Sequence, residues 1–299
     1  MIEPVDGWLE RDGVRLHYLE WAPDSDPGRR PACLLLHGLS SNARYWERVA
    51  RHLPGRRLVA LDQRGHGLTG QPPDAPAFPD GYAMEQLLDD AAFVISELEL
   101  LAPLVVGHSW GATVALELVG TRPGVASGLV FIDGPIQSAA NLFSWDDAQK
   151  IMQPPLPRYA SFAEAVSESR RDFAGTWESD LEPFVKARII PDGDALVLTL
   201  TAPVRLELLR GLYESQPDVL WPSVTVPAVA LLAKRGPAMI TRTREVGAER
   251  LETLAPDIQV RWFDSPHDIP IYLPAEVASE VERVAGLASS GLTSEAAAG

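Results

Sequence analysis

One cysteine in 299 residues leaves no partner for an intrachain disulfide, so packing and hydrogen bonding must hold the fold without cross-links. That residue, Cys33, stands in the apolar run Cys33-Leu34-Leu35-Leu36, a setting for burial as a small hydrophobe, and a reducing compartment suits it. Basic residues are also short. Against 41 Asp and Glu there are 26 Lys and Arg, and the net charge of −15 repels polyphosphates and anionic membrane surfaces. Nucleic acid and membrane are therefore excluded as expected partners. No stretch reaches about 18 uninterrupted apolar residues, and Met1-Ile2-Glu3-Pro4-Val5-Asp6 is acidic where a secretory leader is basic and then apolar. A cytoplasmic location is the expectation. No His/Cys cluster has zinc-ligand spacing, no internal repeat is present, and neither metal nor organic cofactor is called for.

What the chain does have is apolar surface. With 46% hydrophobic residues it can bury a full core, and its length suits one large α/β domain carrying an insertion. An Asp12-Gly13 turn between alternating apolar runs predicts an antiparallel hairpin. Apolar runs of strand length at 33–36, 58–61, 103–106, 129–132 and 227–232 then alternate with helical segments such as Met84 to Leu100. Continuous apolar strands separated by helices predict a mostly parallel sheet with helices on both faces. Between Gly134 and Trp221 the rhythm changes to helical fragments, Ser161 to Arg171 and Ala202 to Tyr213, without strongly β-like runs. The sheet resumes with a strand at 258–264 and a last helix from about Pro274, where proline suits a first helical position. Four spans follow: core 1–133, helical insertion 134–222, core 223–287, and a small, polar, disordered tail 288–299.

Chemistry concentrates at Gly107-His108-Ser109-Trp110-Gly111, which follows the strand Leu104-Val105-Val106 and opens the helical run from Ala112. A sharp strand-to-helix turn crowds the backbone at 107 and 111, which calls for glycine there, and holds the serine hydroxyl out at a helix N-terminus. Read blandly, Ser109 is a helix N-terminal serine between turn glycines. Two companion motifs argue otherwise: Leu34-Leu35-Leu36-His37-Gly38-Leu39-Ser40, another strand running into a glycine turn, and Asp62-Gln63-Arg64-Gly65-His66-Gly67 after the strand Leu58 to Leu61.

With these three motifs the chain resembles the α/β-hydrolase superfamily, in its capped esterase and lipase-like branch. The resemblance implies an α/β-hydrolase fold with a helical cap, Ser109 as nucleophile, and an oxyanion hole made by the backbone N–H groups of Leu39 and Trp110. His37, Gly38, Gly107 and Gly111 shape the two turns. Asp62 and His66 belong to a loop that binds its own backbone rather than to a catalytic pair. Of six histidines, at 17, 37, 52, 66, 108 and 267, only His267 follows the serine in the order serine, acid, histidine, so it is the expected base.

The family's commoner acid position, after the strand before last, holds Lys234-Arg235-Gly236-Pro237-Ala238 and no carboxylate. Asp133, at the end of the strand after the nucleophile's helix, is the preferred acid, as in some superfamily members. Asp264, Asp268 or no acid at all remain alternatives, and Asp133 before Gly134-Pro135 also reads as a simple turn former. The expected activity is cleavage of an ester or related acyl bond of a small, largely apolar molecule through an acyl-enzyme. Phe143, Trp145, Met152, Trp177, Phe184, Tyr213 and Trp221 either line an apolar pocket in the cap or form the cap's own core. The alternatives are a proline-releasing aminopeptidase, with Glu164, Glu168, Glu178 and Glu182 holding the substrate amine, and a non-hydrolytic receptor on the same fold.

Overall fold

A computed structural model of the chain describes residues 3–23, 30–70 and 81–296. The hairpin pairs β1 (Val5–Arg11) with β2 (Val14–Trp21) across Asp12 and Gly13, both at positive φ, which suits the right-handed twist of the strands. The chain continues through β3 (Cys33–Leu36), α1 (Glu47–Ala50), β4 (Leu58–Leu61), α2 (Met84–Glu97), β5 (Leu104–His108), α3 (Trp110–Thr121) and β6 (Gly128–Ile132). After a long intervening segment come β10 (Ala228–Ala233), α9 (Ala238–Leu254), β11 (Gln259–Phe263), α10 (Ile269–Tyr272) and α11 (Pro274–Ala296). Together the strands make one eight-stranded sheet in the order β1-β2-β4-β3-β5-β6-β10-β11. Only the pairings of β2 with β1 and β4 are antiparallel.

Strands β3, β4, β5, β6 and β10 are buried at every position, as a sheet covered on both faces requires. Their side chains divide by the two-residue period of the strand. Val105, Leu129 and Phe131 join Leu88 and Ala91 of α2, Leu116 of α3 and Leu251 of α9 on one face. Leu104, Val106, Val130 and Ile132 join Val49 of α1 and Val281 of α11 on the other. Cys33 lies fully buried in this second layer, where burial pushes its thiol up to about 12.

The intervening segment carries α4 (Trp145–Met152), β7 (Arg158–Tyr159), α5 (Phe162–Asp172), α6 (Glu182–Ala187), β8 (Ile189–Asp192), β9 (Ala195–Leu198), α7 (Ala202–Glu214) and α8 (Pro217–Leu220). The expectation of helices alone is corrected here: β7, β9 and β8 form a three-stranded antiparallel sheet. These strands have two to four residues, too few for alternation to register in the sequence. The signal that marks them is Asp192-Gly193, with Gly193 at φ 60, between two short apolar runs. A second correction concerns the tail. Helix α11 continues to Ala296, with Ala288 buried against the core, so most of 288–299 extends a helix; residues 297–299 lie outside the described residues.

Candidate active site

The strands bring three predicted residues to one edge of the sheet. Ser109 follows β5 and immediately precedes α3, with its backbone at φ 54, ψ −120 and its N–H donated to Ile132 O at 2.8 Å. Asp133 follows the neighbouring strand β6 at φ 50 and donates its N–H to Leu231 O of β10. Both occupy the left-handed region, which costs a non-glycine residue roughly 1–3 kcal/mol and persists only where the surroundings enforce it. Ser40 (φ 64), just past the β3 turn, is a third such residue at this edge. The glycines explain how the elbow closes. A Cβ on Gly107 would lie 2.6 Å from Ala112 Cα, and one on Gly111 would lie 2.7 Å from the Leu36 carbonyl carbon. Any side chain at either position would push α3 off the sheet.

His267 lies in the loop after β11, and its Nδ1 is 2.5 Å from Asp133 Oδ2. The carboxylate is almost fully enclosed, with 1% of its side chain exposed, whereas the imidazole is partly exposed. Asp133 Oδ1 accepts the Ala233 N–H at 3.0 Å, and Oδ2 is also 2.5 Å from Arg244 Nη2. Burial alone would raise the Asp133 pKa; hydrogen bonding and charge from His267, then the charge of Arg244, override it and hold the carboxyl below its ordinary value. For His267 the crowding of protein around the ring lowers the pKa, but the hydrogen bond and charge of Asp133 win and leave it raised. Among the described residues no hydrogen bond joins Ser109 to His267.

Neither the Leu39 nor the Trp110 amide donates a hydrogen bond among the described residues. For Trp110 this follows from its place as the first residue of α3, where an N–H has no intrahelical acceptor. The Leu39 turn is braced from below. His37 Nε2 accepts the Gln63 N–H, Gln63 Nε2 donates to His37 O at 2.7 Å, and His66 Nε2 accepts the Ser40 N–H at 3.1 Å. Burial drives His66 down to about 3, so it stays a neutral acceptor. Asp62 accepts from His17 Nδ1 at 2.6 Å and from the Ala43 and Leu68 N–H groups, which makes it an anchor for strand β2 and two loop segments at once.

The other acid candidates are engaged elsewhere. Asp268 accepts from Tyr45 Oη at 3.1 Å, and Asp264 pairs with Arg235 at the surface. Lys234 and Arg235 instead donate their N–H groups to Phe263 O and Ser265 O, tying the β10 exit to the loop that carries His267. Of the aromatic side chains in the intervening segment, Trp221 and Phe184 are buried in the two core layers, and Trp145 packs edge-on against Tyr213. Glu164 accepts the Ala160 N–H at the start of α5, and Glu168 accepts from Tyr159 Oη.

Two residues have roles at the site that the sequence motifs do not announce. Arg244, on α9, has no acidic residue three or four positions away on its own helix; that is the one sequence trace of a tertiary partner. His108 is buried beside the serine, stacked on Tyr45 at 4.9 Å between ring centroids, with Nε2 3.1 Å from His267 O. Burial, then the charge of His267, lowers it to about 4, so a neutral ring donates to that carbonyl and steadies the His267 loop.

A largely parallel sheet, helices on both faces and a strained serine between strand and helix define a class of hydrolases. The α/β hydrolase family model matches residues 33–280, and the chain belongs to that family. It is 28% identical over 282 residues to lipase LipV of Mycobacterium tuberculosis, a match covering 90% of this chain and 97% of that one. Epoxide hydrolase 3 of Mus musculus is 32% identical over 137 residues, 46% of this chain and 35% of that protein. In fold the chain is similar to the thioesterase domain from the curacin biosynthetic pathway, at TM-score 0.74, 22% identity and 93% and 99% coverage of the two chains. It is likewise similar to E-2-(acetamidomethylene)succinate hydrolase, at TM-score 0.75, 20% identity and 94% and 98% coverage. The chain is thus an enzyme of the hydrolase type acting on small molecules. No helix among the described residues is long and apolar enough to cross a membrane.

Proposed function

We propose that the protein is a serine hydrolase that cleaves an ester or related acyl bond of a small, largely apolar substrate through an acyl-enzyme at Ser109. The observation that carries this reading is the Asp133–His267 hydrogen bond, made at the end of β6 beside the paired strand β5 that leads to Ser109. In the reaction His267 Nε2 takes the Ser109 proton as Oγ attacks the carbonyl, while Nδ1–H stays on Asp133. The amides of Leu39 and Trp110 receive the developing oxyanion, contributing about 3 kcal/mol per donor in sites of this kind. His267 then protonates the leaving group, and water, activated by the same imidazole, releases the acyl group.

The nucleophile decides against the epoxide hydrolase activity of the shorter matches. A serine that opened an epoxide would form an ether to carbon, which water does not cleave under these conditions; an acyl ester on serine turns over. The segment 134–222 is read as a cap over this edge, joined to the core by Arg48–Asp180 and by Asn42 Nδ2 donating to Phe184 O. The aminopeptidase reading is weakened because Glu164 and Glu168 already hold partners within the cap. Rapid-mixing kinetics with p-nitrophenyl butyrate test the proposal. A burst of nitrophenol stoichiometric with enzyme, absent in Ser109→Ala, is expected; steady turnover by folded Ser109→Ala would reject the assignment.

A further inference from the structure

Arg48, which ties α1 to the intervening segment, carries Asp180, and Arg244 at the site carries Asp133. Arg205 of α7 breaks that pattern. Its Nη1 donates to Ser40 Oγ and its Nη2 to Met152 O at 2.9 Å, both neutral acceptors. Its Nε is buried with no hydrogen-bond partner, and no carboxylate reaches the group among the described residues. Arg188, which also lacks a direct ion pair, differs because Asp172, Glu168 and Asp268 supply negative charge around it. Among the described residues desolvation alone acts on Arg205, and it lowers the pKa. With 41 acids and 26 bases in the chain, a half-buried guanidinium without an acid is an uncompensated cost.

Position gives that cost a use. Ser40 is one residue beyond Leu39, its N–H rests on His66, and the His66 ring lies 5.3 Å from that of Trp110. The guanidinium therefore stands over the same turn as the proposed oxyanion donors. We infer that Arg205 is the receptor for a carboxylate on the substrate, so that the small molecule cleaved at Ser109 carries an anionic group beside its scissile carbonyl. This rests on the Ser109 reading and refines its largely apolar substrate to one with an apolar body and one acid group. Beyond the bonds to Ser40 and Met152, Nη1 and Nη2 each keep a second N–H, and these are the donors offered to a carboxylate.

The test pairs p-nitrophenyl esters of equal length, hemiglutarate against valerate, and acetates of phenol against 4-hydroxybenzoate, which moves the carboxylate to the leaving group. Wild type is expected to favour the charged member of one pair by about tenfold or more in kcat/KM, mainly through KM. Arg205→Met should abolish that preference, Arg205→Lys should keep part of it, and Ser40→Ala, which breaks the latch yet keeps the cation, should preserve it. Absence of preference in both pairs, or equal loss on charged and neutral esters in Arg205→Met, would show a lid latch and overturn the inference. Calorimetric titration with glutarate and with neutral glutaramide separates this from the nucleophile assignment. Glutarate binding lost in Arg205→Met supports the receptor even if Ser109 proves unreactive, whereas indistinguishable affinity for diacid and diamide refutes it.

Discussion

Replacing Asp133 with Asn changes one oxygen for an amide nitrogen and removes a charge on which an imidazole and a guanidinium converge. In the native site Oδ2 meets both His267 Nδ1 and Arg244 Nη2, and Oδ1 takes the Ala233 N–H. Neither amide orientation satisfies all three donors. With the nitrogen toward Ala233, two donors face each other there; with the nitrogen toward His267, the ring must turn its Nδ1 into an acceptor, which puts the proton on Nε2 where the serine proton has to go. Both arrangements strand the Arg244 guanidinium, 7% exposed, without its counter-charge. Breaking a buried pair in this way costs about 3–5 kcal/mol of stability. The rate loss expected for a triad Asp→Asn change is about 10³–10⁴-fold, ~4–5.5 kcal/mol in the barrier. Thermal unfolding and p-nitrophenyl ester kinetics on Asp133→Asn, Arg244→Met and the double variant separate the two effects. The double variant should regain much of the stability, because no cation is left stranded, and none of the rate. A folded Asp133→Asn within about tenfold of wild-type kcat, or a double variant that regains activity, would refute Asp133 as the acid.

The raised pKa of His267 fixes the sign of a pH dependence: the base works neutral, so kcat/KM should fall as pH drops through a limb displaced above 6.5, seen in a pH–rate profile. Arg244 opposes protonation of that ring, and Arg244→Met should shift the limb to still higher pH; a shift to lower pH would contradict the shared carboxylate. Asp62→Ala removes the acceptor of His17 and of two loop N–H groups and should lower stability by about 3–5 kcal/mol in urea unfolding, with a loss below about 1 kcal/mol denying its anchoring role. Trp110→Phe keeps the backbone amide and removes a buried indole N–H that has no hydrogen-bond partner among the described residues, so acyl transfer should stay within about tenfold of wild type; a loss equal to that of Ser109→Ala would assign the indole a direct part.

How much of this was legible in the sequence follows from the range of the forces involved. The five fully buried strands announce themselves as unbroken apolar runs, because burial on both faces leaves no polar register to hide them. The elbow is local chemistry: Gly107 and Gly111 are dictated by backbone contacts within a few residues or with one neighbouring strand. Asp133 and His267 are 134 positions apart, and only the adjacency of β6, β10 and β11 brings them into contact; chain order alone left Asp264 and Asp268 open. Arg244, His108 and Arg205 act through tertiary neighbours that no spacing rule encodes. The small sheet is faint in the sequence for a different reason. Strands of two to four residues carry less periodic signal than the turn between them, and Asp192-Gly193 was the clue to weigh.

The acyl-enzyme route requires an activated nucleophile at Ser109. Its most direct measurement is intact-mass and peptide mapping of the full chain after exposure to a fluorophosphonate. One adduct per chain on the peptide containing Ser109, suppressed in His267→Ala, is the predicted result. A native chain left unlabelled at high probe concentration, or labelled at another residue, would contradict the account and favour a receptor built on the same fold.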